Sequence, residues 1–264
     1  MLMAGAQTLI TLDVRQNGQH IRAAMEQAAA SKVRLVHFAE GALSGYVKSQ
    51  VKSWRDVDWT AIEDELASTA RLAARLGVWV VVGCNHPLPE PAWPQNSLYV
   101  ISDQGTVVAR YSKRLCSHTE VKSWYTPGSD PVTFEVDGFR FGCALCIEVC
   151  FPELFAEYER LQVDCVLLSA YSRDPVHRLM ACAHAATNCY WVSVAVPAQC
   201  SSDLPSMVVG PNGSIISESS AGRADLVLSP LDPAATQFEI ALRHARPWRA
   251  RARTLEIYEY RQSW

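Results

Sequence analysis

The sequence predicts an α/β fold, on three observations. Strand-like and helix-like segments alternate, two hairpin patterns interrupt that alternation, and no stretch has the composition of a linker. Ile21, Met25, Ala28 and Ala29 recur at helical spacing and predict a helix over 19–30, followed by a strand over 33–38. Ile62, Leu66, Ala70, Ala73 and Leu76 share one face of a helix over 59–76, with Gly77 as its stop and a buried strand over 78–83. Segments 97–102 and 106–110 flank the turn Asp103-Gln104-Gly105 and read as a β-hairpin. An apolar run over 141–145 then ends in Cys146, and Phe151-Pro152-Glu153 opens a helix over 152–162. A strand over 165–169, a helix over 175–190 and a strand over 192–196 continue the alternation. A second hairpin pairs 206–209 with 214–217 around Pro211-Asn212-Gly213. The two hairpins suggest equivalent pieces of two sheet halves, within one domain over residues 1–264.

Composition narrows the function. A net charge of -3 gives no reason to expect nucleic acid or an anionic membrane as partner. The first residues lack a basic segment leading into a long apolar core, and no apolar stretch is long enough to span a bilayer, so the expected location is cytoplasmic. Nine cysteines without a secretion signal read as free thiols, most of them small core hydrophobes. The segment from Arg243 to Trp264 is rich in arginine, but Glu256 and Glu259 interrupt it. Its interleaved Trp248, Leu255, Ile257, Tyr258, Tyr260 and Trp264 point to packing on its own domain or on a subunit partner rather than to a nucleic-acid patch.

Three polar residues stand just past apolar, strand-like runs: Glu40, Lys113 and Cys146. Open α/β proteins build their sites at strand ends, and a carboxylate, an ammonium and a thiol gathered there suit nucleophilic catalysis. At a strand-to-helix corner, Cys146 is expected beside backbone N–H groups and a helix N-terminus, which favour thiolate and can hold an oxyanion. Taken singly, Glu40 and Lys113 also read as solvated strand-end charges, and Cys146 as one more buried thiol.

Together the three resemble the nitrilase superfamily of carbon–nitrogen hydrolases, whose signature is a Glu-Lys-Cys triad in this order. The glutamate motif is matched by residues 38–46, the lysine motif by 110–115 and the cysteine motif by 142–153. The likeness continues through Asn188, Pro211-Asn212-Gly213 and residues 249–258, and so covers nearly the whole chain. It implies a four-layer α-β-β-α sandwich that pairs into homodimers or higher oligomers across the helices after Phe151 and Asp174, with the C-terminal segment reaching over the partner. It also implies a Cys146 nucleophile, Glu40 as a partly buried general base and acid, and Lys113 with the Ile147 backbone N–H stabilising the oxyanion. Glu120 falls where many members carry a second, substrate-positioning glutamate. The expected reaction is hydrolysis of a small amide through a thioester, with neither metal nor cofactor. The short chain resembles the compact amidase branch, and Ile147 stands where a nitrilase typically has tryptophan. Cys150 departs from the arginine or other large residue of many small-amide hydrolases. A nitrilase or an N-carbamoyl hydrolase would use the same triad.

Two readings of another class compete. Cys143-x-x-Cys146 fits a redox pair, and Cys150 extends it toward a metal cluster. Against the pair, the two thiols point to opposite faces if one strand runs through both. Against the metal, His118, His177 and His184 complete no four-ligand set. A catalytically silent scaffold of the same fold is the remaining alternative. Tyr46, Trp54, Trp124, Tyr125 and Tyr171 lie near the motifs and are open to both a pocket and a core reading.

Overall fold

The computed structural model describes residues 1–255 and 257. Two six-stranded sheets face each other. The first has the order β12-β1-β2-β3-β4-β5, from Asp225–Pro230, Leu2–Gln7, Leu35–Phe38, Trp79–His86, Gln95–Ile101 and Val107–Ser112. The second has the order β11-β10-β9-β8-β7-β6, from Ile215–Glu218, Met207–Val209, Trp191–Ala195, Cys165–Ser169, Phe139–Leu145 and Thr133–Val136. Each sheet has an antiparallel edge strand, three parallel strands and an antiparallel hairpin, so the two hairpins are indeed equivalent parts of two halves.

Helices α1 (Val14–Ala30) and α2 (Trp59–Leu76) cover the first sheet, burying Ile21, Met25, Ile62 and Leu72 with Val36, Val80 and Val82. Helices α4 (Pro152–Arg160) and α5 (Val176–Asn188) cover the second, with Leu154, Phe155, Ala181 and Ala185 against Val166, Leu168, Val192 and Val194. Between the sheets lie Met3, Leu35, Val81, Phe141, Leu167 and Trp191, on the opposite faces of the same strands. This is the four-layer α-β-β-α sandwich. The short α3 (His118–Ser123) leads away from β5, and α6 (Arg246–Arg253) follows a π-helical segment, Ile240–Ala245.

Several elements differ from the sequence reading. α1 begins at Val14, not near 19, because the Asp13 side chain caps it by accepting from the Arg15 and Gln16 backbone N–H groups. β1, β6 and β12 carry no clear sequence signal and form by pairing with strong neighbours. β7 stops at Leu145, and Cys146 opens a 3-10 turn, Cys146–Cys150, so no strand runs through both Cys143 and Cys146. Cys143 packs between the sheets, while Cys146 packs on the helical side. The arginine-rich segment docks on its own chain as far as it is described. Arg246 meets Asp164 at 3.4 Å, Arg249 donates to the Ala186 carbonyl at 2.6 Å, and Arg253 meets Glu159 at 2.7 Å. Glu256, Tyr258, Glu259, Tyr260, Arg261 and Trp264 lie outside the described residues.

Candidate active site

Strand direction brings the three sequence motifs together. Glu40 lies two residues beyond β2, Lys113 one beyond β5 and Cys146 one beyond β7. β2, β3 and β5 run the same way because β4 lies antiparallel between the last two, so their carboxyl ends share one rim. Across the sandwich, His37 on β2 joins that rim to the second sheet, with Nε2 2.8 Å from Ser169 Oγ and Nδ1 3.0 Å from Ser193 Oγ. Ser169 spends its own hydroxyl proton on the Phe38 carbonyl at 2.8 Å, so His37 Nε2 carries the ring proton and Nδ1 accepts from Ser193. Complete burial pushes the His37 pKa down to about 3, so the bridge is neutral.

Lys113 Nζ sits between two carboxylates, 3.1 Å from Glu40 Oε1 and 2.9 Å from Glu120 Oε1, and all three side chains are enclosed. Glu40 also accepts from Asn96 Nδ2 at 2.7 Å and, on Oε2, from the Tyr171 backbone N–H at 2.9 Å. Glu120 Oε2 accepts from the Ser117 backbone N–H at 2.7 Å, and Tyr46 Oη donates to Oε1 at 3.4 Å. Burial opposes the charge on Lys113, but Glu40, then the Cys146 sulfur and Glu120, hold its ammonium form well above the ordinary range. Burial likewise opposes the charge on Glu120, yet Lys113 and the Ser117 N–H outweigh it and keep the carboxyl below its usual value.

The nucleophile candidate corrects one expectation. Burial first, and the Glu40 charge second, push the Cys146 thiol well above its ordinary pKa, against the pull of Lys113 and the Tyr171 backbone N–H. That direction favours the thiol over the thiolate at rest. Helix α4 starts only at Pro152, so the 3-10 turn separates Cys146 from its N-terminus. At φ 47° Cys146 is left-handed, a strained backbone for a non-glycine residue that turns it sharply out of β7. Cys146 is 9% exposed and Ile147 partly so.

Support for this geometry comes from residues that sequence reasoning did not assign to the site. Glu148 accepts from the Arg114 and Leu115 backbone N–H groups at 2.7 and 3.0 Å, and from the Leu145 N–H and the Tyr111 hydroxyl at 2.7 Å each. One carboxyl thus ties the lysine loop to the residue before Cys146. Its position two residues after the cysteine was the available signal. Asn96 was hidden in a strand, and the Tyr171 contribution is a backbone group that no side-chain pattern reveals. Gly83 on β3 lets the glutamate loop lie close, since a Cβ there would stand 2.2 Å from the Ala39 carbonyl oxygen and 2.5 Å from the Gly41 nitrogen.

The aromatic residues divide. Tyr46 and Tyr171 stack with centroids 4.6 Å apart beside the carboxylates, whereas Tyr125 packs with Val47, Val51, Trp54 and Trp124. Among the described residues no group of His, Cys, Asp or Glu is arranged to hold a metal ion, and no helix is long and apolar enough to cross a membrane.

A buried thiol, a paired ammonium and two carboxylates thus lie near the same strand ends. The chain belongs to the carbon–nitrogen hydrolase family, whose model matches residues 2–238, and it is an enzyme of that class within the nitrilase superfamily. Its fold is that of the amidase NitN from Nesterenkonia sp. AN1, at TM-score 0.79 and 22% identity over 94% of this chain and 99% of that one. A mutant of the same amidase, with acrylamide added at its active-site cysteine, gives TM-score 0.79 and 22% identity over 96% and 99%. Another mutant, in complex with butyramide, gives TM-score 0.78 and 22% identity over 95% and 96%.

Proposed function

We propose that the protein hydrolyses a small amide to a carboxylic acid and ammonia through a thioester on Cys146. The observation that carries this reading is the sharing of Lys113 Nζ between Glu40 and Glu120, in the field that the Cys146 thiol also feels. Glu40 takes the Cys146 proton as the sulfur attacks the carbonyl carbon. Lys113 and the Ile147 backbone N–H receive the oxyanion, a donor of this kind being worth about 3 kcal/mol of barrier. As the C–N bond breaks, the proton on Glu40 passes to the leaving nitrogen and ammonia departs. Water then attacks the thioester, Glu40 takes its proton, and the acid leaves as sulfur regains a hydrogen. Glu120, anchored by Ser117 and Tyr46, keeps Lys113 charged and positions the amide.

A small substrate is supported by the enclosure of the centre and by the Nesterenkonia amidase, which was captured with butyramide and with acrylamide. The whole chain is taken as one hydrolase domain, and a homodimer is proposed across the α4–α5 layer, where Leu179 is 69% exposed. Nine free cysteines favour a reducing, cytoplasmic setting.

The test is ammonia release from a panel of amides, nitriles and N-carbamoyl compounds, with Cys146→Ala in parallel and intact mass to detect an acyl adduct. Release from amides by the wild type alone supports the reading. Turnover of nitriles alone or carbamoyl compounds alone moves the protein to another branch, and an active Cys146→Ala protein sinks the mechanism.

A further inference from the structure

β4 runs antiparallel to β3 and β5, so its second residue, Asn96, stands at the rim where those two neighbours end. Asn96 is buried, and it touches two of the three motifs there. Its Nδ2 donates to Glu40 Oε1 at 2.7 Å, and its backbone carbonyl accepts from the Lys113 backbone N–H at 2.8 Å. One residue of a strand that carries none of the motifs thus holds both the proposed base and the cation.

A carboxylate oxygen has about two lone-pair sites. Glu40 Oε1 accepts from Asn96 Nδ2 and, at 3.1 Å, from Lys113 Nζ, so it is filled. Oε2 accepts from the Tyr171 backbone N–H at 2.9 Å and, among the described residues, keeps its second site open. The same N–H acts on the Cys146 sulfur, which sets the thiol on the Oε2 side of the carboxyl. A side-chain amide donates without giving up its proton near neutral pH, so Asn96 occupies Oε1 without entering the proton transfer. A cationic donor in its place would add a second charge to compete with Lys113 for the developing oxyanion.

We infer that Asn96 is a positioning residue for the base: by filling Glu40 Oε1 beside Lys113, it makes Oε2 the oxygen that takes the Cys146 proton. This rests on the amidase mechanism proposed above. As sulfur forms its bond to the carbonyl carbon, the S–H bond breaks and the proton goes to Oε2. When the C–N bond breaks, that proton leaves Oε2 for the departing nitrogen. Without the amide, Oε1 is left with an open site turned away from the sulfur, and the proton is divided between two oxygens of which one faces the reaction. Turnover then slows while substrate binding is kept.

The test measures kcat and KM between about pH 5.5 and 8 for the wild type, Asn96→Leu and Asn96→Asp, on whichever amide of the panel above the wild type cleaves fastest. Asn96→Leu keeps the size and loses the donor, so kcat should fall about 10–100-fold with KM within about threefold. Asn96→Asp sets two carboxyls side by side, and such a pair shares a proton to higher pH than either group would alone. While it holds that proton the introduced carboxyl donates to Glu40 as the amide does, and the donor disappears once the proton is lost. Its kcat relative to wild type should therefore rise about tenfold as pH falls across that range, and the Asn96→Leu ratio should stay flat. Lys113, Glu120, Cys146 and Tyr46 surround Glu40, with Cys116, Tyr125, His177 and Cys200 further out; all are common to the three proteins, and the ratio isolates position 96. A kcat for Asn96→Leu within about threefold of wild type, or a loss carried by KM, overturns the inference. An Asn96→Asp ratio indifferent to pH, beside a lowered melting temperature, assigns Asn96 to strand pairing alone and also overturns it; this arm decides the matter if Asn96→Leu does not fold. A wild type that releases ammonia from no amide overturns the amidase reading and this inference with it.

Discussion

Lys113→Met is the most informative single change, because it separates what the lysine does for catalysis from what it does for the fold. Lys113 is, among the described residues, the cation paired with both Glu40 and Glu120, and all three side chains are enclosed. Removing one oxyanion donor costs about 3 kcal/mol of barrier, so kcat should fall by roughly 10²–10³. Removing one partner of a buried ion pair costs about 3–5 kcal/mol of stability, and at ~2–4 °C per kcal/mol the melting temperature should drop by roughly 6–20 °C. The pH dependence has a definite sign. In the wild type the Glu120 carboxyl is held low, so its contribution is complete above an unfolded pKa of about 4.3 and is lost as pH falls through the lower folded value. Without the lysine, burial becomes the dominant influence and raises that carboxyl, and the folded state then holds a proton that the unfolded chain releases. The stability gap between variant and wild type should therefore widen as pH rises from about 4.5 to 7. Adding Glu120→Gln removes one of the two stranded carboxylates and should recover part of the melting temperature but none of the activity. Thermal unfolding across that pH range, with ammonia release at pH 7, gives both answers. A kcat within about threefold of wild type, or a stability deficit indifferent to pH and to Glu120→Gln, would refute the reasoning.

Three further outcomes follow from the same geometry. Because burial and Glu40 push the Cys146 thiol up, its alkylation by iodoacetamide should keep rising with pH beyond about 9, and a plateau near pH 7 would argue for a resting thiolate. Gly83→Ala places a Cβ against the backbone on either side of Glu40; it should cost about 1–3 kcal/mol and most of the activity, and wild-type kcat/KM would show that the loop yields freely. His37 has a folded pKa of about 3 against ~6.5 unfolded, so its contribution is complete above pH 6.5 and is lost as pH falls toward 3. The wild-type urea midpoint should fall between pH 7 and 4.5, and His37→Asn should flatten that fall.

What the sequence disclosed and what it hid have one physical cause. Glu40, Lys113 and Cys146 were legible because each follows a strong apolar strand, and strand ends are where such a fold can gather groups from distant segments. β1, with two alanines and a glycine in six residues, has little strand propensity and is fixed by its pairing with β2 and β12. The start of α1 was hidden for a similar reason. Asn17 and Gly18 look unlike helix core, yet Gly18 is where Glu65 of α2 presses closest, and a Cβ there would meet its carboxylate. The protonation of Cys146 was the deeper failure. A strand-to-helix corner argues for thiolate only while the corner is considered alone. Folding buries the sulfur and sets the Glu40 charge near it, and together these outweigh the pull of Lys113 and the Tyr171 backbone N–H. That reversal fits the proposed chemistry. A permanent thiolate would leave Glu40 without the proton it must carry to the leaving nitrogen. A thiol surrendered only during attack supplies that proton at the moment the C–N bond can use it.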